Sequence, residues 1–303
     1  MNADYFAQFY EAAGYKVLRT ASSYWYNASN QIYQSIPPGV AIDPSEEELQ
    51  TLFHRRCLLG VRFPSLRKSG VESALFVVRD KNYDFHSLQR QFRQHVQKGL
   101  KHCEINEIDF DYLFRHGMPV NYDAMARRRQ KLPHFVDLTQ WRRFCDAGKR
   151  TPGAGVIGSF VRGELASYLI YFIADKICHG LHMISRTDAK SYRANHLLYY
   201  VYTKTMISRT EIEAVTTGLQ SLSPVGQIDE FKRHAGYQKE PCYLSVALRR
   251  AAKLLLLNGA MGLALDIEER IVGPNGHLQR IRSGFHMAKA TQIRPTESKR
   301  SVT

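Results

Sequence analysis

The stretch from Ala154 to Tyr243 sets the tightest limit on what this chain can fold into. Residues 154–162 alternate loosely and stop at Arg162-Gly163-Glu164. Glu164–Ile173 resumes as a run of Leu, Tyr, Ile and Phe, interrupted by Ala174-Asp175-Lys176, and Ile177–Ser185 makes a third run. Three β-rich runs parted by two short polar breaks predict an antiparallel meander. Behind it the pattern predicts a helix over His196–Ile207, a strand over Glu211–Thr217, a helix over Gln227–Ala235 and a strand over Pro241–Val246.

Upstream, Tyr5–Ala13 reads as a helix, followed by an aromatic piece, Ser22-Ser23-Tyr24-Trp25-Tyr26-Asn27, that closes at Pro37-Pro38-Gly39. Trp and Tyr beside Asn and Ser can build a pocket wall, or pin an irregular segment to the body. Asp43-Pro44-Ser45 and the acids Glu46, Glu47 and Glu48 mark a helix start, with a capping hydroxyl and carboxylates at the positive end of the dipole. Strands are expected over Cys57–Phe63, Glu72–Arg79 and Cys103–Phe110. Between the last two, Phe85, Leu88, Phe92, Val96 and Leu100 recur at helical spacing over Phe85–Lys101. Helices over Asn121–Gln130 and Leu138–Ala147 lead into the meander, and Leu248–Ala264 reads as a helix after it. From Gly273 onward the chain is polar and weakly patterned, as a frayed tail would be.

The formal charge of +14 is unevenly placed. Ile271–Thr303 carries six bases against one acid, Asp123–Arg150 eight against three, and Phe85–Lys101 four bases with no acid. Such an excess favours polyanionic partners: phosphate-rich cofactors, RNA or acidic polysaccharide. For the tail, a solvated basic surface explains the composition equally well. Arg127-Arg128-Arg129 reads either as a phosphate-binding triplet or as the cationic last turn of a helix. The five cysteines show neither CxxC nor Cys/His ligand spacing, which argues against a disulfide framework or zinc ribbon. No run of about 18 uncharged apolar residues exists and the N-terminus lacks a secretory pattern, so no membrane span and cytoplasmic residence are expected.

Neither a phosphate loop, a dinucleotide GxGxxG nor a GxSxG turn occurs. His179-Gly180-Leu181-His182 has His-x-x-His spacing, but residues three apart on a regular strand face opposite ways, so no shared metal is expected. His182, late in its strand, reads either as a general base or substrate contact, or as a satisfied structural histidine.

Phe231-Lys232-Arg233-His234-Ala235-Gly236-Tyr237, followed by Pro241, resembles the "FK…G(F/Y)…P" segment of Fem-type peptidoglycan aminoacyltransferases and of GNAT-like acetyltransferases from bacterial exopolysaccharide loci. Lys98-Gly99-Leu100-Lys101, Leu181–Ser185, Asn195–Tyr199 and Gly218 sit in a matching order, and the order ββ(β)αβαβ is that of the GNAT core. The resemblance spans roughly residues 15–250 and its motifs are short. It implies an α+β protein of two GNAT-like lobes with mixed sheets flanked by helices: a reduced one over 1–135, a fuller one over 136–265, then a basic tail over 266–303.

The implied activity is transfer of an acyl group to an amine or hydroxyl of a sugar, exopolysaccharide or cell-envelope precursor. The alternatives are an aminoacyl-tRNA-dependent Fem-type transferase and a non-catalytic polyanion-binding module. On this reading His182 is the base and Ser185 or Tyr192 the hydrogen-bond donor or relay. Arg186, Lys190 and Arg193 touch donor phosphates, Trp25 and Tyr26 wall the acceptor site, and Lys232 contacts substrate, pairs with an acidic group or holds its turn. A typical GNAT enzyme cradles the pyrophosphate of acetyl-CoA or another acyl-CoA on a Gly-rich loop. Here that place reads Lys190-Ser191-Tyr192-Arg193-Ala194-Asn195-His196, without glycine.

Overall fold

The computed structural model describes residues 3–29, 32–55, 58–68, 70–128, 132–221, 227–250, 252 and 254. Apart from residues 248–250, 252 and 254, the helix expected over Leu248–Ala264 lies outside this set, as does the basic tail. The chain opens with α1 (Ala3–Ala12), β1 (Val17–Arg19), β2 (Tyr24–Ser29), β3 (Ile32–Ile36) and α2 (Glu46–Arg55). Next come β4 (Gly60–Ser65), β5 (Val71–Val78), α3 (Arg90–Leu100), β6 (Cys103–Ile108), α4 (Phe110–Arg128), α5 (Pro133–Val136) and α6 (Leu138–Arg150). The expected meander is β7 (Ala154–Val161), β8 (Glu164–Ala174) and β9 (Ile177–Ser185). After it follow α7 (Ala194–Ile207), β10 (Ala214–Leu219), α8 (Gln227–His234) and β11 (Gln238–Leu248).

Two compact units form, interleaved along the chain rather than consecutive as 1–135 and 136–265 would be. Among the described residues, one comprises the chain up to Lys16, Phe76–Gly218 and Asp229–Lys239; the other comprises Val17–Leu75, Leu219–Ile228 and the residues from Glu240. The second unit orders its strands β1-β2-β3-β4-β11-β5, with β3 and β4 parallel. Its core gathers Trp25, Tyr33, Leu52, Leu58, Val61 and Phe63. Ser45 caps α2 as its sequence predicts, its hydroxyl accepting from Glu48 N–H at 3.1 Å.

The first unit runs β10-β9-β8-β7-β6, antiparallel except for β10 with β9. Both meander turns are two-residue loops with left-handed central residues: Arg162 and Gly163 in one, Asp175 and Lys176 in the other. Positive φ at both positions is the type I′ geometry whose twist suits a hairpin. β8 is buried along both faces after Glu164. Leu169, Tyr171 and Ile173 join the core under α7, while Phe172 meets Phe6 of α1 at 4.3 Å and Tyr168 bonds Asn121 of α4. A strand covered on both sides needs a near-continuous apolar run, which is how 164–174 reads.

Two glycines set close approaches. Gly99 lets α3 press on α7, since a Cβ there would stand 2.8 Å from Leu197 Cβ. Gly236 ends α8 at φ +86°, as the sequence requires of a left-handed cap. At the other end of α7, the Lys81 ammonium donates to the carbonyls of Ile207 at 3.0 Å, Arg209 at 2.8 Å, and Ile212. No helix among the described residues is long and apolar enough to cross a membrane.

Lys81→Met keeps the aliphatic stem but strands these acceptors. Urea titration should show a loss of about 1–3 kcal/mol, with an unchanged m-value.

Candidate functional site

β9 and β10 pair only where Ile177, Cys178 and His179 meet Ala214, Val215 and Thr216. Beyond that point β9 continues to Ser185 and β10 to Leu219 without further pairing between them. On its other edge β9 carries a bulge: Tyr171 faces Gly180 and Ile170 faces His182, leaving Leu181 as the extra residue. An extra residue bends a strand and sharpens its twist. The bulge therefore sits just where the two parallel strands part.

The bulge also corrects the argument from alternation. His179 pairs with Phe172 and His182 with Ile170, two residues apart on β8, so both histidines point to one face. The same count puts Ser185, opposite Ser167, on the other face from His182. His182 and Ser185 are thus not brought together. Among the described residues, no group of three or more His, Cys, Asp or Glu is gathered to hold a metal ion.

His182 lies among rings of the α5–α6 side, 5.0 Å from Phe135, 5.9 Å from Phe144 and 6.4 Å from His134. Burial, then the neighbouring His134 and Arg128, lower its pKa to about 3. An imidazole held there is a weak proton acceptor at neutral pH. Burial also lowers His134 to about 4, and its ring meets the Tyr15 hydroxyl at 2.9 Å.

Ser185 is a buried strut: its hydroxyl accepts from Asn195 Nδ2 at 3.0 Å, tying the end of β9 to the start of α7. Arg127, expected as a phosphate contact or a solvated helix end, is instead a latch on the loop after β9. Its guanidinium donates to Ser185 O at 3.0 Å and Thr187 Oγ1 at 2.9 Å, and pairs with Asp123 at 3.0 Å. Arg128 donates to Met183 O at 3.2 Å.

A cleft of about 190 Å³ opens beside this loop, lined by Arg162, Glu164, Arg186, Asp188 and Tyr192 among others. Arg162 stands over the Tyr192 ring at 6.0 Å. Arg186 is claimed by two carboxylates, Glu164 at 2.8 Å and Asp188. The Arg186 hydrogen bond holds the Asp188 carboxyl below its ordinary range. Lys190 is exposed. Arg193 takes the left-handed conformation, φ +61°, directly before α7, and its Nε is buried without a hydrogen-bond partner among the described residues. The chain makes the turn that a glycine would ease, and makes it with a side chain attached. These residues do not fit a CoA pyrophosphate: two carboxylates occupy Arg186 and line the cleft, and no glycine opens the loop before α7.

Lys232 is 8% exposed, with its ammonium 4.9 Å from the Phe76 ring centroid. Phe76 lies on β5, and its carbonyl accepts from Thr216 Oγ1 at 3.0 Å, at the last paired position of β10. Burial lowers the lysine to about 8, partly opposed by Asp229. The sequence marked this residue through its motif; its burial was invisible there. Trp25 is a correction: it is fully buried in the second unit, packed on Phe63 at 5.7 Å and donating to Thr20 Oγ1 at 2.8 Å, so its ring walls no acceptor site. Tyr26, adjacent on β2, is half-buried.

No protein-family model matches the chain, and no curated protein matches it. Solved structures do. The C-terminal domain of a putative lysylphosphatidylglycerol synthetase from Agrobacterium fabrum superposes with TM-score 0.54 at 13% identity, over 84% of this chain and 90% of that one. FemX gives 0.53 at 10% identity over 78% and 90%, and L-PGS from Bacillus licheniformis 0.53 at 12% over 80% and 87%. The chain therefore shares the α+β fold of these structures, a mixed sheet flanked by helices.

The left-handed Arg193 predicts an unusual ranking. Arg193→Ala keeps a Cβ at positive φ whereas Arg193→Gly does not, so denaturant unfolding should find the glycine variant more stable than the alanine one by about 1 kcal/mol. Acid should also weaken the fold early. Histidines near 3 and 4 when folded regain their ordinary affinity for protons, pKa about 6.5, when unfolded. Their contribution is whole above that value and is lost as pH falls from it toward the folded values, by up to about 1.4 kcal/mol per pH unit per histidine. His134→Asn should flatten the stability–pH slope between those limits.

Proposed function

We propose that this chain transfers an aminoacyl group from an ester donor to an amine or hydroxyl of an envelope or glycan precursor. The parting of β9 and β10 at the Leu181 bulge carries the reading. It supplies an opening at mid-sheet where a linear acyl tail can present its carbonyl, with the buried Lys232 ammonium one strand away. The acceptor nitrogen or oxygen attacks that carbonyl carbon, an oxyanion forms and collapses, the ester C–O bond breaks, and the acceptor's proton ends on the released hydroxyl. A cation in a site of low polarity stabilises such an oxyanion strongly. Lys232 is given that task, and Tyr192 with Arg162 the binding of the donor's remote part. His182, too weakly basic for proton abstraction, shapes β9 from behind.

An aminoacyl-tRNA donor is favoured over acyl-CoA because the loop before α7 lacks both glycine and free cations beyond Arg193 and Lys190, while α3 carries Arg90, Arg93 and Lys98 without an acid. Transfer from acetyl-CoA to an exopolysaccharide precursor is the second reading; the likeness of the Phe231–Tyr237 segment to such acetyltransferases speaks for it. A polyanion-binding module without chemistry is the third.

Filter binding of charged tRNA should show affinity falling linearly in log–log with salt, at about −0.7 to −0.9 per neutralised phosphate. Calorimetry with acetyl-CoA should show no heat. A salt-independent tRNA signal, or a clear acetyl-CoA heat, transfers the case to the second reading. Lys232→Met should cut turnover by about 10²–10³ with tRNA binding unchanged. Because the ammonium is the working form, the rate should fall as pH rises through about 8, and Lys232→Arg should abolish that fall.

A further inference from the structure

A pair of histidines away from the cleft has no part in this chemistry. His95, on α3, and His196, in the first turn of α7, meet Nδ1 to Nε2 at 3.1 Å. Their rings stand edge to face with centroids 4.5 Å apart. Both are half-buried, and Phe92 and Phe231 hold the His196 ring at 4.9 and 5.1 Å. The two nitrogens come from different helices, which Gly99 brings into close contact.

We propose that His95 and His196 form a two-imidazole bite for a divalent transition-metal ion, zinc or nickel being the probes of choice. Two ligands at about 2.0–2.1 Å from one tetrahedral ion stand roughly 3.4 Å apart, and about 2.9 Å apart at a right angle. The separation observed lies within that span, so the helices need not move; the rings turn to aim both nitrogens at the ion. Imidazole selects zinc, nickel or copper over magnesium and calcium, which prefer oxygen. Water fills the remaining positions. The contact is a hydrogen bond from one ring to the other, and a bound ion would replace it, the donor ring keeping its proton on its other nitrogen. Arg193 and Lys98 weaken the attraction for a cation, which makes the site one of modest affinity. A bound ion would fasten α3 to the first turn of α7, the segment that begins at the left-handed Arg193.

The full chain, stripped with a chelator and dialysed, is titrated with zinc, nickel and magnesium by calorimetry and thermal melting. The expected result is one saturable equivalent of zinc or nickel at modest affinity, a raised melting temperature, and no response to magnesium. His95→Gln, at the half-exposed α3 position, and His196→Ala should each weaken that equivalent at least about tenfold, as even loss of a supporting partner does. His86→Ala and His234→Ala, which alter histidines outside the pair, should leave it intact. Absence of any zinc or nickel response overturns the proposal. So does an equivalent that survives His95→Gln, since binding then resides on other histidines. These readouts require no turnover, so they stand apart from the transferase reading.

Discussion

The structure of the first unit depends on a short stretch of hydrogen bonding that stops early. Three residue pairs join β9 to β10, and the inserted Leu181 then turns β9 while its other edge keeps its ladder with β8. Had the parallel pairing continued, β9 and β10 would stay joined toward their C-terminal ends. The backbone groups beyond His179 and Thr216 are left to find other partners. Several find them in side chains: the Met183 and Ser185 carbonyls accept from Arg128 and Arg127, and Gly218 N–H donates to Thr216 Oγ1, as buried polar backbone generally does.

Charge is arranged around this opening with little waste. Arg127 and Arg186, which a reading by composition would offer to phosphates, are both spent inside the protein: one on the loop after β9, the other on Glu164 and Asp188. The cation placed in low-polarity surroundings is Lys232. Such a group is costly to bury and holds its charge loosely, which is why its environment carries more weight than the number of bases nearby.

Much of the architecture was readable from the chain. The breaks at Arg162-Gly163 and Asp175-Lys176 announced the meander, and both became two-residue turns. The apolar run of 164–174 announced a strand covered on both faces. Three features were not readable, each for a physical reason. A bulge inserts one residue into a strand without a composition of its own, so His179 and His182 were assigned to opposite faces. Arginine rarely adopts positive φ, so the turn before α7 was judged by its missing glycine rather than by its backbone. Trp25 beside Ser and Asn resembles a pocket wall, but its indole N–H is satisfied internally by Thr20. Fold followed from periodicity; side-chain roles depended on neighbours that sequence spacing does not reveal.

The interleaving of the two units bears on how the molecule comes to exist. The first unit takes its opening helix from residues before 17 and its last helix from residues after 228. Vectorial synthesis delivers domains from the N-terminus onward, yet here neither unit is whole until nearly 240 residues have left the ribosome. Before Ala174 is made, α1, with Phe6 and Phe9, has no finished β8 to cover. Shortening the chain from its start takes α1 from the first unit, and removing β11 takes a strand from the second, so a single cut separates neither unit intact.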